Sequence, residues 1–243
     1  MQTTFAGKSV LVTGANRGLG QALVEESLRR GADRVYAGTR QPNVVRDERI
    51  TPVTLDVTDP AQIQAAFDSV ESLDILINNA GVSVPDDLSG RAAFERHLAV
   101  NLYGTLDVTQ AFLPLLMRSQ GAVVNIVSLG AVAAVPVLPA YSVSKAASLS
   151  FTQSLRALLA GRGVSVYAVM PGPIDTDMVR ALDIPKTPPR DVARATLDAV
   201  ERGDEDIFPD PMSAALIESW RTSPVKVMER QNAALVTTDP IAA

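Results

Sequence analysis

Short, almost wholly apolar runs alternate along the chain with longer segments in which apolar residues recur at helical spacing. Apolar runs of about four to eight residues are typical of strands buried on both faces, as in a parallel sheet. The pattern predicts a doubly wound α/β fold with a mostly parallel, seven-stranded sheet and helices on both faces. The predicted strands cover residues 9–13, 34–39, 51–55, 74–77, 122–127, 164–169 and 205–208.

Helix boundaries follow from capping residues and from interruptions of the helical spacing. Asp59 followed by Pro60 is the sequence of an N-cap and a first helical position. The long helical stretch 91–117 is expected to break or bend near residues 101–104 and again near Pro114. The predicted helices are 19–30, one that follows Asp59, 91–117, one that begins near Pro139, 190–202 and most of 212–234.

The connection between the second and third predicted strands is short. Only ten residues, 40–49, separate them, and Pro42 is among these. A parallel crossover through a helix needs about a dozen residues or more. We therefore expect no full crossover helix between these two strands.

Composition and charge exclude several classes of function. The 243 residues fit one α/β domain, 1–243, and the formal net charge of −5 argues against nucleic acid or an anionic membrane as the main partner. The chain has no cysteine, which excludes disulfides, a thiolate zinc site and a cysteine nucleophile. Its first residues lack the basic region followed by an apolar region that is typical of a secretory signal peptide. The chain also has no apolar run of about 18 residues, the length expected of a membrane-spanning helix. We expect a soluble, unexported, cytoplasmic protein with no metal site.

Glycines follow the first predicted strand. Residues 13–20 read Thr-Gly-Ala-Asn-Arg-Gly-Leu-Gly and lead into the first helix. Gly14 can take a turn that a Cβ resists, Gly18 lets the main chain approach a pyrophosphate, and Gly20 lets the helix pack close to the strand. The N–H groups that open the helix would face the anion. A tight turn between any strand and helix could use the same glycines, so the loop alone leaves both interpretations open.

Several motifs follow this loop in a fixed order. Together with the loop, which has the form Thr-Gly-x-x-x-Gly-x-Gly, they resemble the short-chain dehydrogenase/reductase family from about residue 8 to about 176. The resemblance implies a single-domain Rossmann fold, a nicotinamide cofactor and a small carbonyl or alcohol substrate. The motifs are Asn78-Asn79-Ala80-Gly81, Asn101, Ser128, Tyr141-Ser142-Val143-Ser144-Lys145 and Pro171-Gly172.

The residue about 20 positions beyond the glycine loop indicates which cofactor is used. A carboxylate there would bind the free ribose hydroxyls and repel a 2′-phosphate, but this chain has Thr39 and then Arg40. Arg17, inside the loop, could reach the same place, and guanidinium groups suit a phosphate. We therefore favour NADP(H) over NAD(H). The alternative is that Arg17 and Arg40 are ordinary solvated loop residues.

The resemblance implies further cofactor contacts by position. Asp56 and Val57 would meet the adenine, although Asp56 could also be a polar residue that merely ends a strand. The main chain near Ile174 and the hydroxyl of Thr176 would meet the nicotinamide carboxamide. Asn78 would brace the sheet. The other positions assigned to the cofactor are Asn16, Leu19, Asn79, Ala80, Gly81, Tyr141, Lys145, Pro171 and Gly172.

Tyr141 and Lys145 are four residues apart and so share one face of a helix. Reduction of a carbonyl by a nicotinamide needs a proton donor for the oxygen, and we expect the Lys145 ammonium and the oxidised nicotinamide to lower the pKa of the Tyr141 phenol for this role. Ser128 would donate to the carbonyl oxygen. By resemblance, Lys145 also holds the ribose and Asn101 anchors a water chain that resupplies the proton.

His97 is the only histidine. Without a neighbouring acid or second ligand in sequence, it is predicted to be a surface or packing residue, and we assign it no catalytic role. A Ser-His-Asp hydrolase is excluded on the same ground.

Residues 177–190 are expected to form a substrate lid. The lid is short and rich in proline, which favours an open pocket for a bulky apolar ketone or aldehyde; its apolar candidates are Met178, Leu182 and Ile184. The helical tail, 212–243, lacks the small-residue strand and glycine ending common in tetrameric family members. A homo-oligomer, dimer or tetramer, is expected.

The favoured function is an NADP(H)-dependent carbonyl reductase or alcohol dehydrogenase. An epimerase or dehydratase on the same scaffold is disfavoured by the modest length of the chain. A non-catalytic NADP(H)-binding sensor is disfavoured because Ser128, Tyr141 and Lys145 are all present.

Overall fold

A computed structural model describes residues 3–41, 47–180 and 183–236. Within these residues seven strands form one sheet in the order β3-β2-β1-β4-β5-β6-β7, and every neighbouring pair is parallel. The predicted fold is confirmed, with strand ends within one or two residues of those predicted. The strands are β1 Ser9–Thr13, β2 Arg34–Thr39, β3 Ile50–Thr54, β4 Ile75–Asn78, β5 Ala122–Ile126, β6 Ser165–Val169 and β7 Asp206–Ile207.

Helices connect the strands and continue beyond the sheet. Asp59 caps α2 as predicted, because its carboxylate accepts from the N–H groups of Ala61 and Gln62. The helices are α1 Gly18–Arg29, α2 Pro60–Ser69, α3 Arg91–Leu98, α4 Thr105–Ser119, α5 Pro139–Leu159, α6 Pro189–Arg202, α7 Pro211–Ala214, α8 Ile217–Arg221 and α9 Pro224–Ala233.

The two faces of the sheet carry separate hydrophobic cores. Val10 and Val12 of β1 belong to the core that includes residues of α1 and α6. Leu11, which lies between them, belongs to the opposite core, with residues of α2, α4 and α5. Because successive side chains of a strand point to opposite faces, a continuous apolar run is what this two-sided burial requires.

Parallel strands β2 and β3 are neighbours, and their connection passes through residues 40–49. The described parts of this connection, 40–41 and 47–49, contain no helix. Pro42 lies outside the described residues.

The helical stretch after β4 differs in part from its prediction. A π-helix, Ala99–Gly104, joins α3 to α4 where the first irregularity was expected. The expected interruption at Pro114 is wrong in that α4 continues through it to Ser119. Pro114 and Gln110, whose carbonyl loses its helical partner, are both exposed. Water can therefore satisfy that carbonyl, which keeps the cost of the proline low.

Candidate active site

The carboxyl ends of β1 and β4 meet at the point where the strand order reverses, the usual ligand site of open α/β sheets. Here the Thr13 hydroxyl accepts hydrogen bonds of 3.0 Å from the N–H groups of both Asn79 and Ala80. The Asn79 amide donates back to the Thr13 carbonyl at 2.9 Å. These bonds fix the glycine loop against the segment that follows β4.

The glycine loop has the geometry for which glycine was predicted. Gly14 and Gly18 have φ angles of 67° and 55°, in the left-handed region. A Cβ on Gly20 would lie 2.1 Å from the Gly14 carbonyl oxygen. The turn and the close approach of α1 to β1 both depend on the missing side chains.

Two observations test whether the residues at this edge fit a dinucleotide. No side chain caps the amino end of α1, so its first N–H groups remain available to an anion. At the end of β2 the Thr39 hydroxyl is buried and has no hydrogen-bond partner among the described residues. An unsatisfied hydroxyl at the ribose position and an uncapped helix after the glycine loop both fit such a cofactor.

The two arginines predicted to meet the 2′-phosphate have different surroundings. The Arg17 guanidinium forms an ion pair of 2.8 Å with Asp177, at the start of the expected lid. Arg40 instead interacts electrostatically with Asp56. Hydrogen bonds from Thr58 and the Arg40 charge lower the pKa of that carboxyl group. Sequence reasoning missed the partner of Arg17, since Asp177 lies 160 residues away along the chain.

The other predicted cofactor residues differ in whether their main chain or their side chain could contact a ligand. The side chains of Leu19 and Val57 are buried, so only their main chains could contact a cofactor. The Asp56 carboxylate already accepts from the N–H and hydroxyl of Thr58. Thr176 packs against the glycine loop, since its methyl carbon lies 3.1 Å from a Cβ built on Gly18.

The structure brings three predicted catalytic residues together. Ser128 follows β5, and its hydroxyl accepts from the Gly130 N–H at 3.0 Å and hydrogen-bonds to the Tyr141 phenol. Lys145 lies one turn further along α5, with its Nζ 5.9 Å from the centre of the Tyr141 ring. A carbonyl placed against Ser128 and Tyr141 would meet two hydroxyl donors.

Burial shifts the pKa values of both Tyr141 and Lys145. It raises the pKa of Tyr141 above its ordinary value, against the hydrogen bond from Ser128, and it lowers the pKa of Lys145 to about 8. The expected lowering of the Tyr141 pKa is therefore wrong for the protein by itself. The reason is that loss of water around the phenol outweighs the hydrogen bond from Ser128. The Lys145 ammonium instead donates at 2.8 Å to the Ile126 carbonyl.

Asn101 lies in the π-helix with its side chain fully engaged. Its Oδ1 accepts from the Val82 N–H at 2.9 Å, and its Nδ2 donates to the Val82 carbonyl at 3.0 Å and to the Ser144 hydroxyl at 2.9 Å. Asn78 also braces the sheet as predicted, because its amide donates at 2.9 Å to Asn125 of β5 and at 2.9 Å to Thr109 of α4. The Asn101 amide thus links the segment after β4 to α5.

Asp210 is a site residue that sequence reasoning missed. Its buried carboxylate accepts from the Gly172 N–H at 2.7 Å, and from the N–H groups of Met212 and Ser213 in α7. Asp210 precedes Pro211, the same cap-then-proline signal as Asp59–Pro60, and that signal could have located α7. Nothing in the local sequence indicates the link to Gly172.

Backbone hydrogen bonds join the two ends of the segment expected to form the lid. Ile174 and Thr187 form an isolated parallel bridge, with hydrogen bonds of 2.9 Å on both sides of it. Of the predicted apolar residues in the segment, Met178 and Ile184 are exposed, and Leu182 lies outside the described residues.

No helix in the described ranges combines the length and apolar character needed to span a membrane. The same ranges contain no group of three His, Cys, Asp or Glu side chains placed to hold a metal ion.

Comparisons with known proteins bear on this site. A family model described as short chain dehydrogenase matches residues 8–186. Estradiol 17-beta-dehydrogenase 2 of Mus musculus is 34% identical over 193 residues, which cover 73% of this chain and 51% of that protein. Short chain dehydrogenase pigC of Monascus ruber is 33% identical over 211 residues, 75% of this chain and 68% of that protein. The chain spans about half the length of the mouse and rat estradiol dehydrogenases that it matches.

A solved structure is similar over nearly the whole chain. The crystal structure of a short chain dehydrogenase from Burkholderia cenocepacia in complex with NADP is 36% identical, with a TM-score of 0.84. The match covers 94% of this chain and 99% of that one.

Proposed function

The chain belongs to the short-chain dehydrogenase family of oxidoreductases, and we propose that it transfers a hydride between NADP(H) and a ketone, an aldehyde or the corresponding alcohol. The proposal rests on one observation. Ser128, Tyr141 and Lys145 meet at the carboxyl edge of the sheet, the same edge at which β1 leads into the uncapped amino end of α1.

When bound, the nicotinamide supplies the hydride for carbonyl reduction, or accepts one in alcohol oxidation. The Tyr141 phenol donates the proton to the carbonyl oxygen. Burial raises the pKa of the phenol, so the phenol carries the proton that reduction needs, and the positive charges of Lys145 and the oxidised nicotinamide would favour its release. The Ser128 hydroxyl, already bonded to the phenol, orients the same oxygen and stabilises its developing negative charge.

Lys145 and Asn101 would both support this step. The Lys145 ammonium, charged below its pKa of about 8, favours departure of the phenol proton and would hold the nicotinamide ribose. The Asn101 side chain has both amide hydrogens engaged, by Val82 and Ser144. We therefore assign its contribution to holding these segments rather than to anchoring water through its side chain.

NADP(H) is the favoured cofactor. The end of β2 offers Thr39 and Arg40 where an NAD-selective site carries an acidic residue. The Burkholderia cenocepacia relative was solved with NADP, which supports the same choice. Arg17 would contribute to the 2′-phosphate only after leaving Asp177.

The substrate we propose is bulky and apolar. Apolar side chains are exposed on the segment between Ser128 and α5, on the expected lid and at the start of α7; they are Val135, Val137, Met178, Ile184 and Met212. The mouse relative is named for estradiol, an alcohol of this kind. A single domain 1–243, a lid 177–190 and a tail 212–243 are part of the proposal. A cytoplasmic location and homo-oligomerisation stay predictions.

The decisive variant is Tyr141→Phe. With NADPH and a panel of apolar ketones and aldehydes, it should lower kcat by about 100-fold or more while NADPH still binds, as followed by nucleotide fluorescence. Tyr103→Phe, at an exposed tyrosine of the π-helix, is the matched control and should keep full activity. Turnover by Tyr141→Phe comparable to that of the unaltered protein would refute the mechanism.

A further inference from the structure

Two side chains of one helix face bind the main chain of the segment that follows β4. Val82 donates its N–H to Asn101 Oδ1 at 2.9 Å, and Val84 donates its N–H to His97 Nε2 at 3.1 Å. His97 and Asn101 are four residues apart, so they lie side by side along α3 and the π-helix. Together they hold residues 82–84 at two points.

The partners of His97 define its tautomer. Its Nδ1 lies 2.6 Å from the Ala93 carbonyl oxygen, which can only accept, so Nδ1 carries the hydrogen. Nε2 then offers a lone pair to the Val84 N–H. The ring is fully buried and uses both nitrogens. A second proton, on Nε2, would set a donor against the Val84 N–H and break this contact.

The same two residues reach the turn of α5 that carries Tyr141. The His97 ring packs edge-on against the Tyr141 ring, with centroids 6.1 Å apart and an interplanar angle of 72°. Asn101 donates to the Ser144 hydroxyl at 2.9 Å, and that hydroxyl donates to the Tyr141 carbonyl at 2.7 Å. His97 therefore contacts the phenol ring, and Asn101 contacts the backbone beneath it.

We propose that His97 is a positioning residue for Tyr141. It fixes segment 82–84 through its Nε2 acceptor and fixes the angle of the phenol through its ring. The inference rests on the proposed role of Tyr141 as proton donor. Because a displacement of about 1 Å at a reacting group can cost about 100-fold in rate, loss of His97 should lower kcat and leave cofactor affinity unchanged.

A purely space-filling role makes a different prediction. A phenyl ring would fill the same volume against Tyr141 but could not accept from Val84, whereas a glutamine amide oxygen can reach the position of Nε2. His97→Phe and His97→Gln therefore separate the hydrogen bond from the ring contact. Val84→Pro removes the donor without altering His97, because proline has no N–H.

The test measures kcat, substrate KM, NADPH affinity and thermal unfolding for the unaltered protein and these variants. We expect His97→Phe and Val84→Pro to lower kcat by about 10- to 100-fold, with NADPH affinity within twofold, and His97→Gln to recover a large part of the loss. Wild-type kcat in both His97→Phe and Val84→Pro would overturn the inference. If His97→Phe fails to fold, Val84→Pro decides the inference by the same criterion, and wild-type kcat in that variant would overturn it. His97→Gln then shows whether an acceptor at the position of Nε2 is enough.

Two further readouts isolate this proposal from the proposed function. An inactive Tyr141→Phe together with wild-type kcat in both His97→Phe and Val84→Pro would refute the positioning role alone, whereas an active Tyr141→Phe would refute the function itself. The imidazole nitrogen spectrum of an untagged protein should show one histidine, protonated at Nδ1 and not at Nε2. The opposite tautomer, or a rapidly exchanging mixture, would contradict the hydrogen bond to Val84 on which the inference depends.

Discussion

The Lys145 ammonium nitrogen lies 5.9 Å from the centre of the Tyr141 ring, one helical turn along α5. Burial shifts the two groups in opposite directions, lowering the pKa of Lys145 to about 8 and raising that of Tyr141. Both shifts favour the uncharged form of the group concerned. The helix thus holds a protonated phenol next to a lysine that can lose its charge in mildly alkaline solution.

The lowered pKa of Lys145 predicts a pH dependence of stability. Between about pH 8 and its ordinary pKa of 10.5, this lysine binds its proton in the unfolded chain but not in the folded one, so folding becomes more favourable as pH rises. Relative to Lys145→Met, the wild type should gain up to about 3 kcal/mol in free energy of unfolding across this range. Urea unfolding of both proteins at pH 7, 9 and 10.5 measures it. A stability difference that does not change with pH would contradict the shift.

Gly20→Ala should destabilise the fold sharply. The new Cβ would lie 2.1 Å from the Gly14 carbonyl oxygen, and neither backbone can move away without disturbing the glycine loop. We expect a loss of about 1–3 kcal/mol or more. Gly161→Ala is the control, since nothing lies within 4 Å of its Cβ position, and it should stay within about 0.5 kcal/mol. Equal urea midpoints for the two variants would contradict this account.

Features encoded by neighbouring residues could be predicted from the sequence. The apolar run of β1, the requirement for glycine at Gly14 and Gly20, and the cap at Asp59 each depend on a few adjacent positions. Spacing alone also placed Tyr141 and Lys145 on one helix face. These signals fix the fold and the position of the catalytic group because the carboxyl ends of parallel strands share one edge of the sheet.

Features that depend on distant partners could not be predicted. Asp177 pairs with Arg17 across 160 residues, and Asp210 binds Gly172 across 38. No local pattern encodes which acidic residue meets which main-chain or guanidinium group. The predicted direction of the Tyr141 pKa shift was wrong for a related reason. Desolvation depends on everything packed around the phenol and not only on the lysine four residues away.

Arg40→Asp tests the favoured cofactor. A carboxylate at this position would repel a 2′-phosphate and accept hydrogen bonds from a ribose diol. The ratio of kcat/KM for NADPH to that for NADH should fall by about tenfold or more, equivalent to about 1.4 kcal/mol. Arg34→Asp makes the same charge change at the opposite, amino end of β2 and should leave the ratio unaltered. An unchanged ratio for Arg40→Asp would remove Arg40 from the ribose site.

Asp177→Asn tests whether Arg17 must exchange partners to bind the cofactor. Removing the carboxylate frees the Arg17 guanidinium, and an exposed ion pair of this kind is worth about 0.2–1 kcal/mol. NADPH should therefore bind about 1.5- to fivefold more tightly, as measured by fluorescence titration. Asp175→Asn removes a charge two residues away and controls for the general field. Weaker binding by Asp177→Asn would indicate that the pair supports the cofactor site instead.

The tail is fixed to the sheet by Asp206, whose side chain is buried beside two cations and the single tryptophan. Its carboxylate accepts from Arg156 at 2.8 Å, from Lys226 at 2.7 Å and from the Trp220 indole at 2.8 Å. Burial raises the pKa of Asp206, but the charges and hydrogen bonds of these partners outweigh it and hold the pKa below its ordinary value. The stabilisation is present above the unfolded pKa and is lost as pH falls through the lowered one.

Asp206→Asn should therefore cost about 1.5–3 kcal/mol at pH 7, because it removes one of the carboxylates that Arg156 and Lys226 share and leaves them Glu229. The difference from the wild type should shrink below about pH 4, because the unfolded chain then takes up a proton at Asp206 before the folded carboxylate does. Trp220 fluorescence during urea unfolding reports the docking of α8 directly. Asp204→Asn, which affects only surface ion pairs, should change stability by at most about 1 kcal/mol. A stability loss for Asp206→Asn that stays constant down to pH 3 would show that the two cations do not depend on the Asp206 charge.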